Sequence, residues 1–367
     1  MPTRHRVDVH RLHRLLLRFR RLPVAVLGDL MLDRYLAGTA TRLSPEAAVP
    51  VVSIDSNSQS DWLGGAGNVA ANLAALGAKV RVFGVLGGVK GASKRPVDDG
   101  PGAEFRRCLH KVGIDDSGVF SDPRRVTTLK TRVIARHQQI VRIDHERRDP
   151  LSADAEEKLF RSMRRALPSQ KALLLSDYAK GVLSDALTQR VLHACDQFKV
   201  PVFVKPNTST HLRYNGAQVV VCNRSEAAAY LGRPLSTDES IEDAAKSLLS
   251  YFGCSAVVIT LGDQGMTLFD ESSQQHLHIP ATNSEITYAN RIGQPGVEQG
   301  ATGRQVFDVT GAGDTVLSVL SLALAAGASL PDAAFLANTA AGVVVGKLGT
   351  ATLTAAELSG ALDDVRP

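Results

Sequence analysis

The chain has 367 residues, of which 44% are hydrophobic, and this length supports either two domains or one large α/β domain with a sizeable core. Its net charge of +5 is spread along the chain and only 5% of its residues are aromatic, which argues against nucleic-acid binding. The four cysteines form no CxxC pair, and no apolar run is long enough to cross a membrane. We therefore expect a cytoplasmic protein in a reducing compartment, without a zinc site, that binds a small anionic molecule.

The chain begins with a basic segment, residues 1–23, in which arginines surround several leucines. This composition resembles a transit peptide, but Asp8 and the strand that follows at once favour a basic leading helix. Residues 24–29 read as a short buried parallel strand that ends in Gly28 and Asp29. Because ligands bind at the carboxyl ends of such strands, we expect Asp29 and Asp33 to accept hydrogen bonds from substrate hydroxyls. The alternative is that both are turn-forming aspartates.

Residues 35–54 read as an irregular, strand-like flap, because Pro45 and Pro50 confine them to sheet edges. The next segment, residues 63–77, is a glycine turn followed by a helix, and it formally contains a dinucleotide-binding fingerprint. The context does not fit, since residues 56–61 are polar rather than a strand and no acidic residue ends the following strand. We expect the glycines to admit a ligand against the backbone and Asn68 to bond its hydroxyls.

Between residues 128 and 144 the hydrophobic pattern changes to a period of two. Apolar residues share one parity, and Lys130, Arg132, Arg136 and Arg142 share the other. This pattern predicts a strand region with four cations on one face, suited to an anionic substrate. The alternative is a solvated edge face protected by charge.

From residue 172 onward, short apolar strands alternate with helices, which predicts a parallel sheet covered on both faces. Polar clusters follow three of the strands, at residues 177–181, 223–226 and 260–265. Since the carboxyl ends of parallel strands lie at one edge of the sheet, these clusters predict a cleft. The polar, glycine-rich residues 283–305 are expected to form a loop that shields it.

A small-residue loop, residues 307–313, runs directly into an apolar helix. Gly311 and Gly313 allow close approach of a ligand, and the unpaired N–H groups of the first helical turn favour a phosphate. Asp314 lies in that turn, where it is placed to accept a proton from a hydroxyl that attacks phosphorus. The alternative is that Asp314 only complements the helix dipole.

Three motifs, Gly64-Gly-Ala-Gly-Asn68, Asn223-Arg-Ser-Glu226 and Asp308-Val-Thr-Gly-Ala-Gly-Asp314, resemble in sequence and order those of the ribokinase (PfkB) family of sugar kinases. The resemblance spans most of the chain. It implies an α/β fold with a central, mostly parallel sheet, helices on both faces and a small β-sheet lid. It also implies a single kinase domain over residues 1–367, with lid segments at about 35–54 and 128–144.

Longer strings at residues 28–35, 43–50, 130–139 and 176–181 are similar to the branch of this family that phosphorylates D-glycero-β-D-manno-heptose 7-phosphate. The resemblance implies transfer of the γ-phosphate of ATP to the anomeric O1 of that sugar. The 1,7-bisphosphate product would feed ADP-heptose and lipopolysaccharide inner-core synthesis. Two alternatives are a kinase for another sugar phosphate, such as a hexose 6-phosphate, and a non-catalytic sugar-phosphate sensor.

The resemblance assigns Asp314 as the base, and Gly311, Ala312 and Gly313 as its anion hole. It assigns Asn223 and Glu226 to Mg²⁺ and the ATP phosphates, and it makes K⁺ a candidate cofactor at Asp308 and Thr310. The further residues expected to bind ATP are Arg224, Ser225, Thr260, Gly262, Gly265 and Asn338. The residues expected to bind the phosphosugar are Asp29, Asp33, Gly64, Gly65, Asn68, Lys130, Arg132, Arg142, Asp177 and Lys180. The lysines and arginines of this set are expected to bind its phosphate.

In this family the lid often pairs with the lid of another subunit, so the resemblance implies a homodimer. The composition and the lack of a long apolar run lead us to expect no nucleic-acid or membrane partner. One departure is Lys205, which stands where many relatives carry aspartate. Some relatives continue into a nucleotidyltransferase domain, and because this sequence stops at Pro367 we expect the kinase alone.

Overall fold

The structure is a computed structural model, and it describes residues 8–90, 96–135, 138–281, 287–288, 305–306, 311–347 and 351–364. The helices are α1 (Val9–Arg18), α2 (Ala66–Ala75), α3 (Gly100–Lys111), α4 (Ala153–Ala166), α5 (Asp185–Phe198), α6 (Arg224–Leu231), α7 (Asp238–Phe252), α8 (Ala312–Ala325), α9 (Leu330–Val344) and α10 (Ala355–Asp363). The strands are β1 (Pro23–Gly28), β2 (Leu30–Leu43), β3 (Pro50–Gly65), β4 (Lys79–Val89), β5 (Val97–Asp98), β6 (Asp115–Asp122), β7 (Thr128–Ala135), β8 (Gln138–His145), β9 (Ala172–Ser176), β10 (Val202–Lys205), β11 (Val219–Asn223), β12 (Ala256–Thr260), β13 (Met266–Asp270), β14 (Gln275–Ile279), β15 (Thr287–Tyr288) and β16 (Gln305–Val306).

The main sheet has the strand order β14-β13-β12-β11-β10-β9-β1-β4-β5, with β6 also paired to β4. Neighbouring strands from β6 through β4, β1, β9, β10 and β11 to β12 are parallel, and β13 and β14 are antiparallel additions at one edge. The central strands are short apolar runs buried on both sides, as parallel strands require. The predicted α/β class is therefore confirmed.

Helices cover both faces of this sheet and enclose two apolar cores. One core contains side chains of α1, α2, α3, α8, α9 and α10, and the other contains side chains of α4, α5, α6 and α7. Helix α8 is buried over most of its length, from Asp314 to Ala323. The loop that precedes it is consequently anchored to a rigid element.

A separate four-stranded sheet, the lid, has the order β3-β2-β7-β8. Strands β2 and β3 form a long antiparallel hairpin, and β7 pairs in parallel with β2. The expectation that residues 56–61 are not a strand is wrong, because they lie within β3. A hairpin that is exposed on much of its surface needs no apolar run, so its polar composition concealed it.

The basic leading helix is confirmed as α1, with Asp8 as its N-cap. Sequence patterns did not reveal α4, β6 or the β13–β14 hairpin. None of the helices in the described ranges is long and apolar enough to cross a membrane. The parallel strands β1, β9, β10, β11 and β12 end at one edge of the main sheet, and the lid rises beside this edge.

Candidate functional site

A cleft of about 520 Å³ lies between the ends of β10, β11 and β12 and the start of α8. This volume is suitable for a nucleotide-sized ligand. Its lining includes every residue that the sequence assigned to ATP and to the anion hole: Asn223, Arg224, Ser225, Glu226, Thr260, Gly262, Gly265, Asn338, Gly311, Ala312 and Gly313. Lys205, which the sequence treated only as a departure, lines it as well.

The start of α6 is fixed by a reciprocal capping box. The Asn223 side chain accepts a hydrogen bond from the Glu226 amide at 2.8 Å, and the Glu226 carboxylate accepts one from the Asn223 amide at 2.8 Å. This arrangement holds a carboxylate and an amide group at the wall of the cleft, next to the positive end of the helix.

The donor set at this wall fits Mg²⁺ that is bound mainly through phosphates. The Glu226 carboxylate has more acceptor positions than the single amide uses, and Mg²⁺ commonly binds one or two carboxylates together with water and substrate phosphates. Among the described residues there is no group of three His, Cys, Asp or Glu side chains suited to a metal ion. A metal held jointly by Glu226 and a nucleotide needs no such group.

Asp314 lies in the first turn of α8, whose N-cap Gly311 has φ 83°. Its carboxylate is buried and accepts hydrogen bonds from Asn68 Nδ2 at 2.8 Å and from the Tyr178 hydroxyl at 2.8 Å. Lys205 Nζ lies 2.7 Å from the same carboxylate as an ion pair. Side chains from α2, the loop after β9, and β10 thus converge on one buried acid.

Tyr178 and Lys205 are the members of this group that sequence patterns missed. Burial and the charge of Asp314 raise the pKa of Tyr178, so it remains a hydrogen-bond donor. Burial alone would lower the pKa of Lys205, but the adjacent Asp314 charge raises it overall, so Lys205 remains an ammonium. Their one indication in the sequence was position: Tyr178 follows β9 and Lys205 ends β10, so both lie at the edge of the sheet where the cleft is.

Asp29 is not placed as the sequence suggested. Its buried carboxylate accepts hydrogen bonds from the amides of Tyr178 at 2.8 Å, Lys180 at 3.1 Å and Val182 at 3.1 Å. Burial raises the pKa of Asp29, against the lowering effect of these bonds. We therefore correct its role: Asp29 holds the loop that carries Tyr178 and Lys180.

Asp177 also points into the protein. It is buried, and it accepts hydrogen bonds from the Thr210 hydroxyl at 2.6 Å and the Ala179 amide at 2.8 Å. Burial raises its pKa to about 6, although the Thr210 hydrogen bond acts in the opposite direction. These contacts hold the same loop, and sugar binding by Asp177 stays a prediction.

Gly64 and Gly65 are required by the surrounding protein. A Cβ atom on Gly64 would lie 2.3 Å from Asp33 Oδ2, and one on Gly65 would lie 2.5 Å from the Asp29 carbonyl oxygen. Gly65 also has φ 57°, which favours glycine. The close approach that we expected for a ligand is made here by Asp33 and by the backbone of Asp29.

The predicted cationic face exists on the lid. Strand register places Lys130 opposite Asp144, and Arg132 opposite Arg142, on one face of the sheet. Lys130 Nζ lies 2.9 Å from Asp144, Arg142 Nε lies 2.9 Å from Asp144, and Arg132 binds Asp33. Arg136 lies outside the described residues.

Glu146 joins this face to Lys180. Its carboxylate lies 2.7 Å from Lys180 Nζ, 3.4 Å from Lys130 Nζ and 2.9 Å from an Arg148 nitrogen. Partial burial alone would raise the pKa of Glu146, but the hydrogen bonds from Lys180 and Arg148 lower it to about 2. The sequence contained no signal for this residue beyond its position after the strand.

Asp33 connects the lid to the buried acid. Burial raises its pKa, the charges of Arg132 and Lys130 lower it, and the charge of Asp314 raises it again. The geometric link is the loop after β9, in which Tyr178 donates to Asp314 and Lys180 pairs with Glu146, the partner of Lys130. Asp308, Thr310 and most of the 283–305 segment lie outside the described residues.

Comparison with known proteins identifies the family. The model of the pfkB family carbohydrate kinases matches residues 22–288 and 293–356. The chain belongs to this family. It is 44% identical over 337 residues to the bifunctional protein HldE of Geobacter metallireducens, covering 92% of this chain and 62% of that protein. It is 41% identical over 350 residues to HldE of Geotalea uraniireducens, covering 95% of this chain and 65% of that protein, so it spans somewhat less than two thirds of these relatives.

Solved structures agree with this fold. The ribokinase of Arabidopsis thaliana, complexed with ribose and ATP, aligns with a TM-score of 0.65 at 20% identity over 93% of this chain and 99% of that chain. Phosphofructokinase-2 of Escherichia coli, in complex with substrates and products, aligns with a TM-score of 0.69 at 18% identity over 94% of this chain and 99% of that chain. The ribokinase-like fold expected from the motifs is confirmed.

Proposed function

We propose that this pfkB-family chain is an ATP-dependent kinase that phosphorylates the anomeric O1 of D-glycero-β-D-manno-heptose 7-phosphate. The product would be the 1,7-bisphosphate, a precursor of ADP-heptose and of the lipopolysaccharide inner core. The observation that carries the proposal is the position of Asp314, which lies between a nucleotide-sized cleft and a cationic lid face. The heptose itself rests on the sequence strings at residues 28–35, 43–50, 130–139 and 176–181.

The nucleotide half of the site binds charge chiefly through backbone groups. Gly311, Ala312 and Gly313 present the first turn of α8 to the cleft, where its unpaired N–H groups stabilise the oxygens of the transferring phosphoryl group. Mg²⁺ bound by the ATP phosphates would be held at Asn223 and Glu226, where it neutralises phosphate charge.

The sugar half of the site is suited to a phosphate ester. Lys130, Lys180, Arg142 and Arg148 surround Asp144 and Glu146, so four cations face two carboxylates and two positive charges remain in excess. A phosphate monoester carries between one and two negative charges near neutral pH. The excess therefore matches a phosphosugar and favours it over an unphosphorylated sugar.

Asp314 completes the arrangement as the base. Its carboxylate lies at the positive end of α8 and accepts the proton of the attacking sugar hydroxyl, while Asn68 and Tyr178 hold its orientation. Asp33, near both Lys130 and Asp314, is placed to orient the sugar ring between the two halves. A sugar-phosphate sensor would not need this buried acid beside a nucleotide cleft.

An ADP-release assay with a panel of phosphosugars tests the proposal. We expect the highest kcat/KM with heptose 7-phosphate, and a value at least about tenfold lower with hexose 6-phosphates, equivalent to 1.4 kcal/mol. Equal kcat/KM for a hexose phosphate would contradict the heptose assignment and leave a sugar-phosphate kinase. Binding without turnover of any phosphosugar would instead identify a sensor.

We further propose that the protein is a homodimer joined through its lids. Six large apolar side chains of the lid hairpins are exposed: Leu43, Val49, Ile54, Trp62, Val141 and Ile143. Apolar surface of this kind is typical of an interface. Sedimentation analysis should give a dimer that dissociates in an Ile143→Glu variant, and a monomeric wild-type protein would contradict the proposal.

A further inference from the structure

Lys205 is the basic residue that belongs to both parts of the reaction centre. It ends β10 and lines the nucleotide cleft together with Gly311, Ala312 and Gly313. Its Nζ lies 2.7 Å from Asp314 Oδ1 and 3.1 Å from the Tyr178 hydroxyl. A Cβ atom built on Gly313 would lie only 3.4 Å from that Nζ. The ammonium is therefore at the entrance to the anion hole.

Counted over the residues that the structure describes, the hydrogen bonds to Asp314 leave one acceptor position open. Asn68, Lys205 and Tyr178 each donate one hydrogen to the carboxylate, the tyrosine hydroxyl being close to both oxygens at 2.8 and 2.9 Å. An ionised carboxylate has about four acceptor positions. The remaining position suits the hydroxyl of a substrate, so the base can act without losing Lys205.

The other hydrogens of the Lys205 ammonium have different targets. One lies against the Tyr178 oxygen, and a lysine ammonium has three hydrogens to donate. Since the group lines the cleft beside the first turn of α8, its third hydrogen can donate to a phosphate that binds at this turn. A single cation thereby contacts the base and the transferring group.

We propose that Lys205 is a catalytic residue that binds the γ-phosphate of ATP while it remains paired with Asp314, and that Tyr178 is a positioning residue for both. This inference rests on the proposed kinase function and deepens it. In the step itself, the sugar O1–H proton passes to Asp314 and the O1–Pγ bond forms. The bond from Pγ to the β,γ-bridging oxygen breaks, and ADP leaves with that electron pair.

The role has a physical basis in how charge moves during the step. Negative charge spreads over the phosphoryl oxygens and the bridging oxygen, while Asp314 becomes neutral on protonation. The ammonium loses its carboxylate counter-charge at the moment when the phosphoryl group gains charge. Its attraction is therefore redirected to the transition state without movement of the side chain.

Nucleotide binding measured by calorimetry tests the contact directly. The variants are Lys205→Met and Lys205→Arg, and the ligands are ADP and AMP-PCP, a non-hydrolysable ATP analogue, each with Mg²⁺. We expect Lys205→Met to bind AMP-PCP about 10-fold to 100-fold more weakly and to bind ADP nearly as the wild type does, because a charge-assisted hydrogen bond to the γ-phosphate is lost. Lys205→Arg should recover part of the loss. Equal binding of AMP-PCP by the wild type and Lys205→Met, or equal weakening for both nucleotides, would overturn the proposal.

Loss of the buried cation could destabilise the fold by leaving Asp314 unpaired. The double variant Lys205→Met/Asp314→Asn removes both charges, and Asp314→Asn alone is its matched control. The same selective loss of AMP-PCP affinity is expected between these two proteins, and its absence would contradict the γ-phosphate contact. Neither binding measurement uses a sugar. If the wild type failed the phosphosugar assay, the proposed function would be refuted, but the nucleotide-binding data would still show whether Lys205 contacts the γ-phosphate.

Discussion

The two halves of the candidate site, the nucleotide cleft and the lid, bind charge in different ways. In the nucleotide half, helix starts and glycine backbone line the cleft, and its polar side chains are organised by neighbours three residues away, as in the Asn223–Glu226 capping box. In the lid half, charge is carried by side-chain ions paired across strands and loops, such as Lys130, Glu146 and Lys180. The geometry of the nucleotide half is set by contacts within short sequence segments, whereas that of the lid half depends on which strand residues lie opposite each other. Substitutions should therefore have separable effects in the two halves.

The largest effect on turnover is expected for substitution of Asp314, which lies between the two halves. Asp314→Asn should lower kcat by about 10²-fold to 10⁴-fold, because a general base contributes on this scale. Both ligands should still bind, because the amide has nearly the same shape and its oxygen can still accept from Asn68. ATP should bind somewhat more tightly, because Lys205 loses its carboxylate counter-charge. Steady-state kinetics and calorimetry separate these quantities. A variant with normal turnover would remove Asp314 from the role of base.

Asp177 offers a test of the loop after β9 that does not depend on activity. Its pKa is raised to about 6 from 3.8 by burial, so the folded state binds more protons than the unfolded state between about pH 4 and pH 6. Stability contributed by this group is therefore present at low pH and lost as pH rises through that window, by up to about 3 kcal/mol.

Asp177→Asn lacks this titration. Its free energy of unfolding relative to the wild type should increase from pH 4 to pH 7, as measured by denaturant unfolding at each pH. If the difference in free energy of unfolding between the variant and the wild type stayed constant from pH 4 to pH 7, the Asp177 carboxyl would be ionised throughout this range. Burial would then not raise its pKa as described.

In the lid half, Lys180→Met should raise KM for the phosphosugar about 10-fold to 100-fold, because a charged hydrogen bond to phosphate is worth about 1.5–3 kcal/mol. KM for ATP should remain unchanged. Glu146 keeps Lys130 and Arg148 as partners, so the loop should stay folded. Lys246→Met, which breaks a surface pair with Glu242 on α7, is the matched control. An equal rise in both KM values would contradict the division into halves.

The smallest effect concerns the capping box. Asn223→Ala should cost about 1 kcal/mol of stability, as loss of an N-cap generally does, and should raise KM for ATP. Thr354→Ala removes the same kind of capping box from α10, which is outside the cleft lining. Thermal unfolding should shift alike in the two variants, and kinetics should distinguish them. If both raised KM for ATP, the contribution of α6 would be general stability.

The difference between the halves also explains what the sequence revealed. The residues that the family resemblance assigned to ATP line one cleft, and Asn223, Glu226 and Gly311–Gly313 each act within one turn or loop, where sequence spacing largely sets the geometry. Lys130, Arg132 and Arg142 were placed on one face because a strand alternates with a period of two. These predictions needed no knowledge of tertiary contacts.

Other roles were not accessible from the sequence. The side chain of an acidic residue at a strand end can point into the cleft or toward a neighbouring loop. Asp29 and Asp177 point toward the turn at residues 178–182, whose backbone amides they accept from and where Ala179 adopts φ 54°. Tyr178 and Lys205 act on Asp314 from 136 and 109 residues away in sequence, and Glu146 pairs with Lys180, which is 34 residues away. Residues 56–61 were misread because an exposed hairpin carries no apolar signature.

The joint between the lid and the main sheet has a mechanical consequence. The lid hairpin leaves β1 at Asp29 and returns to α2 at Gly65, and the Ala66 amide donates to the Asp29 carbonyl at 2.9 Å across this joint. Asn68, which donates to Asp314, lies three residues beyond Gly65, and the Asp29 carboxylate holds the loop that carries Tyr178. A tilt of the lid about this joint would therefore be transmitted to two of the groups that contact Asp314. Under the proposed function, closing the lid over the sugar would also align the acid that deprotonates it.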